Sequence, residues 1–364
     1  MGPPIIPEFV ANTLRTLRSG ASLRAVLIGL SLLLAFLSIS PVSAATPVSG
    51  TISEVTTWAV ADSPFQVTGH VTVASGVTLT IEPGVTVKFD SGKSLLVDGT
   101  LVAQGTSSDT ITFTSSAASP AAGDWGTISF RSGSPGTTFD GNGDYVSGQI
   151  FEHCRIEYAG SALGNPTFIS NCTITNNSGG ISTSHANHNA VIKNSTITQN
   201  EGSAIFAGTG TTMTGNTITY NNGGVDGSGQ NLTFTNNTIS NNQYGLVVME
   251  AGLITVSQNT IRDNGGTGLG VAGAGTLDQN LILNNDRGII IGGCCYYGSG
   301  IVLITNNTIA DNGTGISGSA EVTGNRIHRN GGTGLGVGGT RIYRNNTIDL
   351  PTTSRPVWHV TSLM

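Results

Sequence analysis

Apolar residues recur along this chain with a period of about 21 residues, from about residue 149 to residue 350. One isoleucine marks each repeat, usually inside the segment Asn-x-Thr-Ile-x-x-Asn. The marker residues are Ile156, Ile174, Ile197, Ile218, Ile239, Ile261, Ile282, Ile309, Ile327 and Ile348. A period of this length is typical of a solenoid, because a single repeat cannot bury its apolar residues but a stack of repeats can.

Two further apolar positions recur with the same period as the marker isoleucine. The first lies five residues before it and holds Phe151, Ile169, Ile192, Met213, Phe234, Val256, Leu277, Ile304 and Val322. The second lies seven or eight residues after it and holds Ile181, Ile205, Val225, Leu246, Leu269, Ile289, Ile316 and Leu335. The three apolar stretches of a repeat are too short for helices. We therefore predict an all-β parallel β-helix, with three short strands per coil that each pair in parallel with the equivalent strand of the next coil.

Two asparagine positions recur in the same way. The one two residues before the marker holds Asn216, Asn237, Asn259, Asn280, Asn307, Asn325 and Asn346. The one three residues after it holds Asn177, Asn200, Asn221, Asn242, Asn264, Asn285, Asn312 and Asn330. Stacking would put each set in a column with about 4.8 Å between members, where the amides can bond one another as in other asparagine ladders. Because asparagine tolerates the left-handed backbone conformation, we expect these residues at the coil corners.

The Asn-x-Thr-Ile-x-x-Asn coils resemble the right-handed parallel β-helix repeat of secreted bacterial proteins and carbohydrate-active enzymes. Residues 76–85, 99–105, 111–114 and 124–126 look like the opening coils of such proteins. The resemblance covers about residues 50–350 and implies a right-handed parallel β-helix. The family includes pectate lyases, polygalacturonases, alginate lyases, epimerases and adhesins, so the resemblance is specific for the fold and leaves the activity open.

The composition agrees with many short strands and tight turns. Glycine accounts for 52 of the 364 residues, and charged residues make up 10% of the chain, against about 25% in typical soluble proteins. We predict an N-terminal cap at 46–70 and one continuous β-helix at 71–350. Residues 115–124 and 131–148 are rich in glycine, serine, proline and aspartate and are predicted loops. We expect residues 351–364 to close the last coil.

The first 45 residues have the features of a signal peptide. Three arginines precede an apolar run at 25–39, and small residues follow at 41–45. We therefore expect a secreted or cell-surface protein of bacterial type, with no transmembrane span in the mature chain. The formal net charge is −6, which argues against general binding of nucleic acid.

The widest step between marker isoleucines contains a tyrosine pair. This step runs from Ile282 to Ile309 and includes Tyr296 and Tyr297. Insertions in solenoids become loops on one face, often the binding face, and exposed tyrosines can stack on sugar rings. Both tyrosines are therefore candidate ligand-binding residues.

Acidic residues recur near one corner of the later coils. Asp263 and Asp311 lie two residues after their marker isoleucines, and Asp286 lies close to the equivalent position between them. Because calcium takes six to eight oxygen ligands, these three residues form a candidate calcium site, and we expect no other cofactor. Arg262 and Arg287 stand beside the acids and are candidate ligand-binding residues.

The last coils carry a basic group. Arg326 and His328 flank a marker isoleucine, and Arg329 follows them. This end of the chain is a candidate site for an acidic polysaccharide.

Four cysteines in an exported chain favour oxidation. Three pairings are possible, and we favour Cys154 with Cys172, because both stand two residues before a marker isoleucine on adjacent coils and their spacing fits disulfide geometry. Cys294 and Cys295 would then be free thiols or a strained vicinal disulfide.

The sequence therefore predicts a secreted or cell-surface β-helix protein that acts as a binding or structural module, with glycans as the ligand class. The alternative is a lyase, epimerase or hydrolase that acts on an acidic polysaccharide. No motif with dense catalytic acids and bases decides between the two.

Overall fold

The computed structural model describes residues 44–184, 189–292, 301–336, 343–349 and 358–360. Within these ranges, 37 strands form one continuous hydrogen-bonded network and two form a separate hairpin. Equivalent strands of successive turns pair in parallel, so the chain folds as an all-β solenoid of about 13 turns. In the described part of the chain, no helix has the length and apolarity that crossing a membrane requires.

Each turn contributes one strand to each of three parallel sheets. Sheet 1 comprises Thr56–Trp58, Thr78–Ile81, Thr100–Gln104, Ile150–Glu152, Phe168–Ser170, Val191–Lys193, Thr212–Thr214, Leu232–Thr235, the second halves of Leu246–Ser257 and Thr267–Asp278, Val302–Thr305, Glu321–Thr323 and Tyr343–Arg344. Sheet 2 comprises the first parts of Thr46–Ile52 and Phe65–Val73, then Thr86–Phe89, Ile111–Ser115, Cys154–Glu157, Thr173–Thr175, Thr196–Thr198, Thr217–Thr219, Thr238–Ser240, Thr260–Arg262, Leu281–Leu283, Thr308–Ala310, Arg326–His328 and Asn346–Asp349.

Sheet 3 comprises the second parts of Thr46–Ile52 and Phe65–Val73, then Leu95–Val97, Ile128–Phe130, Leu163–Gly164, Ile181–Ser182, Ser203–Ala207, Gly223–Ser228, the first halves of Leu246–Ser257 and Thr267–Asp278, Arg287–Ile291, Thr314–Ser317 and Leu335–Gly336. The hairpin consists of Thr138–Phe139 and Tyr145–Ser147, and the one short 3-10 helix among the described residues is Val60–Asp62.

The predicted apolar columns are confirmed. The ten marker isoleucines form nine in-register pairs between successive turns, from Ile156 with Ile174 to Ile327 with Ile348, and together they form the interior column of sheet 2. Phe113, Val87 and Phe65 continue the column through the earlier turns. All of these side chains are buried. Burial of one face fixes the register, because a slip of one residue would turn every apolar side chain to the solvent.

The predicted asparagine ladders are also confirmed, but one detail of the corner prediction is wrong. The ladder asparagines are buried and bond from turn to turn: the amide of Asn177 donates to Oδ1 of Asn200 at 2.9 Å. The left-handed residue is the one immediately before a ladder asparagine, such as Asn176 at φ 55° and Gln199 at φ 56°. The preceding residue makes the sharp turn, and the ladder residue points its amide inward.

The predicted segments at the two ends join the solenoid. Thr46–Ile52 pairs in parallel with Phe65–Val73, so the segment predicted as a cap contributes to the first turn. Trp358–Val360 pairs antiparallel with Asn346–Asp349, the last strand of sheet 2. The predicted signal peptide lies outside the described residues up to residue 43.

Candidate functional site

The outer face of sheet 3 carries a row of unlike side chains. Phe206, Asp226, Val247, Gly270 and Ile290 are paired in register on five successive turns, each one residue after an inward apolar residue. Alternation along a strand points all five positions to the outside. The row is uneven because a glycine stands between two branched side chains, which leaves a notch in the surface.

A groove runs along this row. Its main part encloses about 430 Å³ and is lined by Asp226, Gln243, Tyr244, Val247, Met249, Gly266, Thr267, Asp286 and Arg287. A smaller part of about 150 Å³ shares Val247, Met249 and Thr267 with it and extends past Gly270 to Ile290 and Gly292. From Asp226 to Ile290 the groove crosses three steps between turns, or about 14 Å. Its size falls in the range of small-molecule sites.

A network of three side chains holds one end of the groove. The Tyr244 hydroxyl donates to Oδ2 of Asp226 at 2.6 Å, and the Ser203 hydroxyl donates to the same oxygen at 2.7 Å. The two hydroxyl oxygens are 2.9 Å apart. Burial, and then the hydrogen bond to Asp226, raise the pKa of Tyr244 to about 12. The phenol therefore stays protonated and holds the carboxylate in a fixed orientation.

Gly223 makes room for this network. A Cβ at this position would lie 2.7 Å from the Tyr244 hydroxyl and 2.9 Å from Oγ of Ser203. Contacts this short force neighbouring atoms to move, so a side chain at Gly223 is incompatible with the hydrogen bonds above it.

The groove contains two of the residues predicted from the sequence. Arg287 lines it together with Asp286, and Nε of Arg287 lies 3.7 Å from Oδ2 of Asp286. Both side chains are more than half exposed. Among the residues that line the main part, Asp226 and Asp286 are acidic and Arg287 is basic. The groove thus has a local excess of negative charge.

The other predicted acids lie on the corner that follows sheet 2, where each pairs with an arginine. Arg262 donates to Asp263 at 2.5 Å. Arg329 donates to both carboxylate oxygens of Asp311, at 2.7 and 2.6 Å. These hydrogen bonds from Arg329 hold the pKa of Asp311 below its usual range.

The structure does not bring together the three carboxylates of the predicted calcium site. Asp263 and Asp311 occupy the corner, whereas Asp286 lines the groove. Within the described ranges, no group of three His, Cys, Asp or Glu side chains is arranged to hold a metal ion.

The remaining predicted residues are divided between the surface and the interior. Arg326 is exposed on sheet 2, whereas His328 on the same strand is buried, with 7% of its surface accessible. The tyrosine pair at 296 and 297 lies outside the described residues, as do Cys294 and Cys295.

Cys154 and Cys172 are neighbours on adjacent turns, as predicted, but the structure contains them as free, buried thiols. They occupy the first two places of a ladder that continues through Ser195 to the asparagines. The backbone N–H of Cys154 donates to Sγ of Cys172 at 3.4 Å, and the N–H of Cys172 donates to Oγ of Ser195 at 3.1 Å. Sγ of Cys154 can donate its proton to the carbonyl of Ala103 at 3.3 Å, and Sγ of Cys172 to the carbonyl of Ser170 at 3.2 Å. In the structure the two thiols act as ladder side chains.

Sequence reasoning missed Asp226, Ser203 and Tyr244. One feature of the sequence could have indicated the site. The outward row of sheet 3 carries uncharged residues from Ser182 to Gly336 except at Asp226.

Two family models match the chain. The right handed beta helix region matches residues 224–352, and the pectate-lyase like beta helix domain matches residues 50–167. The chain is a right-handed parallel β-helix protein. The match of residues 224–352 includes all the residues that line the groove on sheet 3, and the match of residues 50–167 covers the first turns of this β-helix. None of the curated proteins compared with this β-helix matches it.

Several solved structures are similar to this β-helix. The A-module of mannuronan C-5 epimerase AlgE4 from Azotobacter vinelandii is 13% identical, with a TM-score of 0.41, and the match covers 84% of this chain and 88% of that one. The Dettilon tailspike protein is 15% identical, with a TM-score of 0.31 and coverage of 78% and 56%. The family 28 exopolygalacturonase of Yersinia enterocolitica is 11% identical, with a TM-score of 0.28 and coverage of 89% and 75%.

Proposed function

We propose that this β-helix is an exported or cell-surface binding module that holds a glycan chain in the groove on sheet 3. The observation that carries the proposal is the groove itself, in which Asp226 and Tyr244 at one end are followed by apolar Val247 and Met249. Sugar rings present hydroxyl groups at their edges and C–H groups on their faces. A groove that offers fixed polar groups beside an apolar floor matches both features.

The length of the groove supports a chain-like ligand. It crosses several turns of the solenoid, about 14 Å along the axis, and is open to solvent along one side. A short stretch of oligosaccharide fills such a groove better than a compact metabolite does. The lining residues come from four turns, so binding would be distributed over several sugar units.

The geometry favours binding over catalysis. Glycoside hydrolases use two carboxyl groups about 5–10 Å apart, whereas Asp226 and Asp286 stand three turns apart, or about 14 Å along the axis. A lyase or epimerase needs a catalytic base whose pKa lies near the pH at which the enzyme works. Tyr244, with its pKa raised to about 12, is poorly suited to that task. An enzyme that acts on acidic polysaccharides is therefore our second candidate function.

Filling the notch at Gly270 tests the proposal. A Cβ at this position meets only side-chain methyl groups, at 3.5–3.6 Å, so Gly270→Val is expected to fold normally and to occupy the groove. Gly141→Val in the hairpin loop is the matched control, because its Cβ meets nothing within 4 Å. The measurement is binding to a panel of neutral and uronic-acid polysaccharides by affinity electrophoresis and calorimetry.

We expect the unmodified protein and Gly141→Val to bind a member of the panel and Gly270→Val to lose that binding. Equal binding by both variants, or no binding by the unmodified protein, would overturn the proposal. Release of unsaturated products or reducing ends during the same incubations would favour the enzyme.

A further inference from the structure

We infer that the groove selects uncharged glycans and rejects polymers of uronic acids, with Asp226 as the residue that determines this specificity. The inference rests on the proposed function and names the ligand class of the same site. It differs from the sequence-based alternative, which pointed to acidic polysaccharides.

The hydrogen bonds of Asp226 leave one of its oxygens available. Ser203 and Tyr244 both donate to Oδ2, and within the described residues no donor reaches Oδ1. The side chain cannot rotate without losing two hydrogen bonds. The result is a fixed anionic acceptor at the end of the groove, which suits a hydroxyl donor and repels a carboxylate.

The neighbouring charges do not offset Asp226. The guanidinium of Arg287 lies beside Asp286, which balances its charge, and the two remain exposed to solvent. A uronic-acid chain carries one negative charge per sugar, so a chain that fills the groove would bring a carboxylate close to the uncompensated carboxylate of Asp226. Repulsion between a carboxylate of the ligand and that of Asp226 opposes binding, and salt weakens this repulsion.

Phe206 provides a complementary apolar contact. It stands next to Asp226 in the same outward row, one turn earlier, and 40% of its surface is exposed. Neighbours in such a row are about 4.8 Å apart. An aromatic ring beside a carboxylate can pack against the C–H face of a sugar while the carboxylate accepts a hydrogen bond from a hydroxyl group of the same sugar.

The test uses matched polymers. Soluble glucan, galactan and mannan are each compared with the same polymer after oxidation of C6 to the carboxylate, by calorimetry at low and high salt. We expect a neutral polymer to bind and its oxidised form to bind at least roughly tenfold more weakly at low salt, with a smaller difference at high salt.

Two variants locate the specificity. Asp226→Asn removes the charge but keeps a side chain that can accept hydrogen bonds from Ser203 and Tyr244, and we expect it to weaken binding of the neutral polymer roughly tenfold and to reduce the discrimination. Asp144→Asn is the matched control. It should leave binding of the neutral polymer unaffected, because Asp144 is exposed in the hairpin loop and does not line the groove. Melting temperatures establish that both variants are folded.

The possible failures can be told apart. If no polymer binds, the proposed function fails and the inference fails with it. If an oxidised polymer binds as well as its neutral form or better, the groove remains a glycan site but the inference is wrong. Unchanged affinity and selectivity in Asp226→Asn would also overturn it.

Discussion

Oδ1 of Asn237 accepts two hydrogen bonds from Asn216 on the preceding turn, one from its backbone N–H at 3.0 Å and one from its side-chain amide at 2.9 Å. The amide of Asn237 in turn donates to the carbonyl of Met213 at 3.0 Å and to Asn259. Each ladder asparagine therefore satisfies buried backbone groups that no water reaches, which makes the ladder a structural device rather than a ligand site.

Replacing one ladder member should destabilise the protein strongly. Asn237→Ala would leave two buried donors of Asn216 without a partner and would remove one hydrogen bond from the carbonyl of Met213, so we expect a loss of about 3 kcal/mol or more in the free energy of unfolding. Asn222→Ala is the control, because its side chain is exposed and should change stability by no more than about 0.5 kcal/mol. Urea denaturation followed by circular dichroism measures both; equal midpoints would contradict the structural role of the ladder.

The two buried cysteines should behave as thiols. We expect a thiol reagent to leave Cys154 and Cys172 unmodified in the native protein and to modify both after denaturation without reductant. Cys172→Ser should be about 1 kcal/mol more stable than Cys172→Ala, because the serine hydroxyl can accept a hydrogen bond from the N–H of Cys154. Ser195 already accepts a hydrogen bond from the N–H of Cys172 in the same way. A peptide that contains both residues and is two hydrogens lighter by mass spectrometry would show the disulfide instead.

Alkaline pH should destabilise the fold through Cys154. Burial raises the pKa of this thiol well above its ordinary value of 9.0. The folded state therefore holds the proton more tightly than the unfolded chain, and the stability this provides is complete below pH 9 and declines as the pH rises above it.

The measurement is the free energy of unfolding as a function of pH. Cys154→Ser should lack the decline that begins near pH 9, while any effect of Tyr145 and Tyr244 begins only above their ordinary pKa of 10.0. Identical pH profiles for the variant and the unmodified protein would rule out Cys154 as the source.

A methyl group at Gly223 should disrupt the Asp226 network. In Gly223→Ala the new Cβ would lie 2.7 Å from the Tyr244 hydroxyl, so the hydroxyl must move away from Asp226. We expect the pKa of Tyr244 to fall from about 12 toward 10 and glycan affinity to decrease. Ultraviolet titration of the phenolates gives the pKa, with Tyr244→Phe to assign the signal. Gly133→Ala is the control: its Cβ meets nothing within 4 Å, so the titration should be unchanged. An unchanged titration in Gly223→Ala would contradict the role of the network.

The core of the solenoid could be predicted because it depends on periodicity alone. Met213, Ile218 and Val225 reveal their inward positions by recurrence, and the burial of one face then fixes the register of every strand pair. No knowledge of side-chain contacts is needed for that step.

The corners were predicted only in part. Asn236 and Asn237 are both asparagines, so residue type could not show which of them adopts the left-handed conformation. The decisive signal is Gly215, which replaces asparagine at the position before the ladder and has a φ of 69°. Glycine is favoured where φ is positive, so the glycine marks the turning residue.

The groove could not be predicted, because it depends on side chains that meet across turns. Ser203 and Tyr244 are 41 residues apart in sequence and share one oxygen of Asp226. The pairing of Arg329 with Asp311, 18 residues before it, has the same origin. The sequence places these acids and bases close together along the chain, whereas the structure shows which of them form pairs: Arg262 with Asp263 and Arg329 with Asp311.

The position before each ladder asparagine also shows how this surface can diversify. On one corner this position is filled by glutamine, tyrosine, asparagine, aspartate or arginine, as at Gln199, Tyr220, Asp263 and Arg329, and φ there lies between 52° and 58°. The backbone there accepts almost any polar or aromatic group, since the fold is held by the residue that follows. A solenoid built this way can exchange its outer chemistry one turn at a time while its interior stays the same.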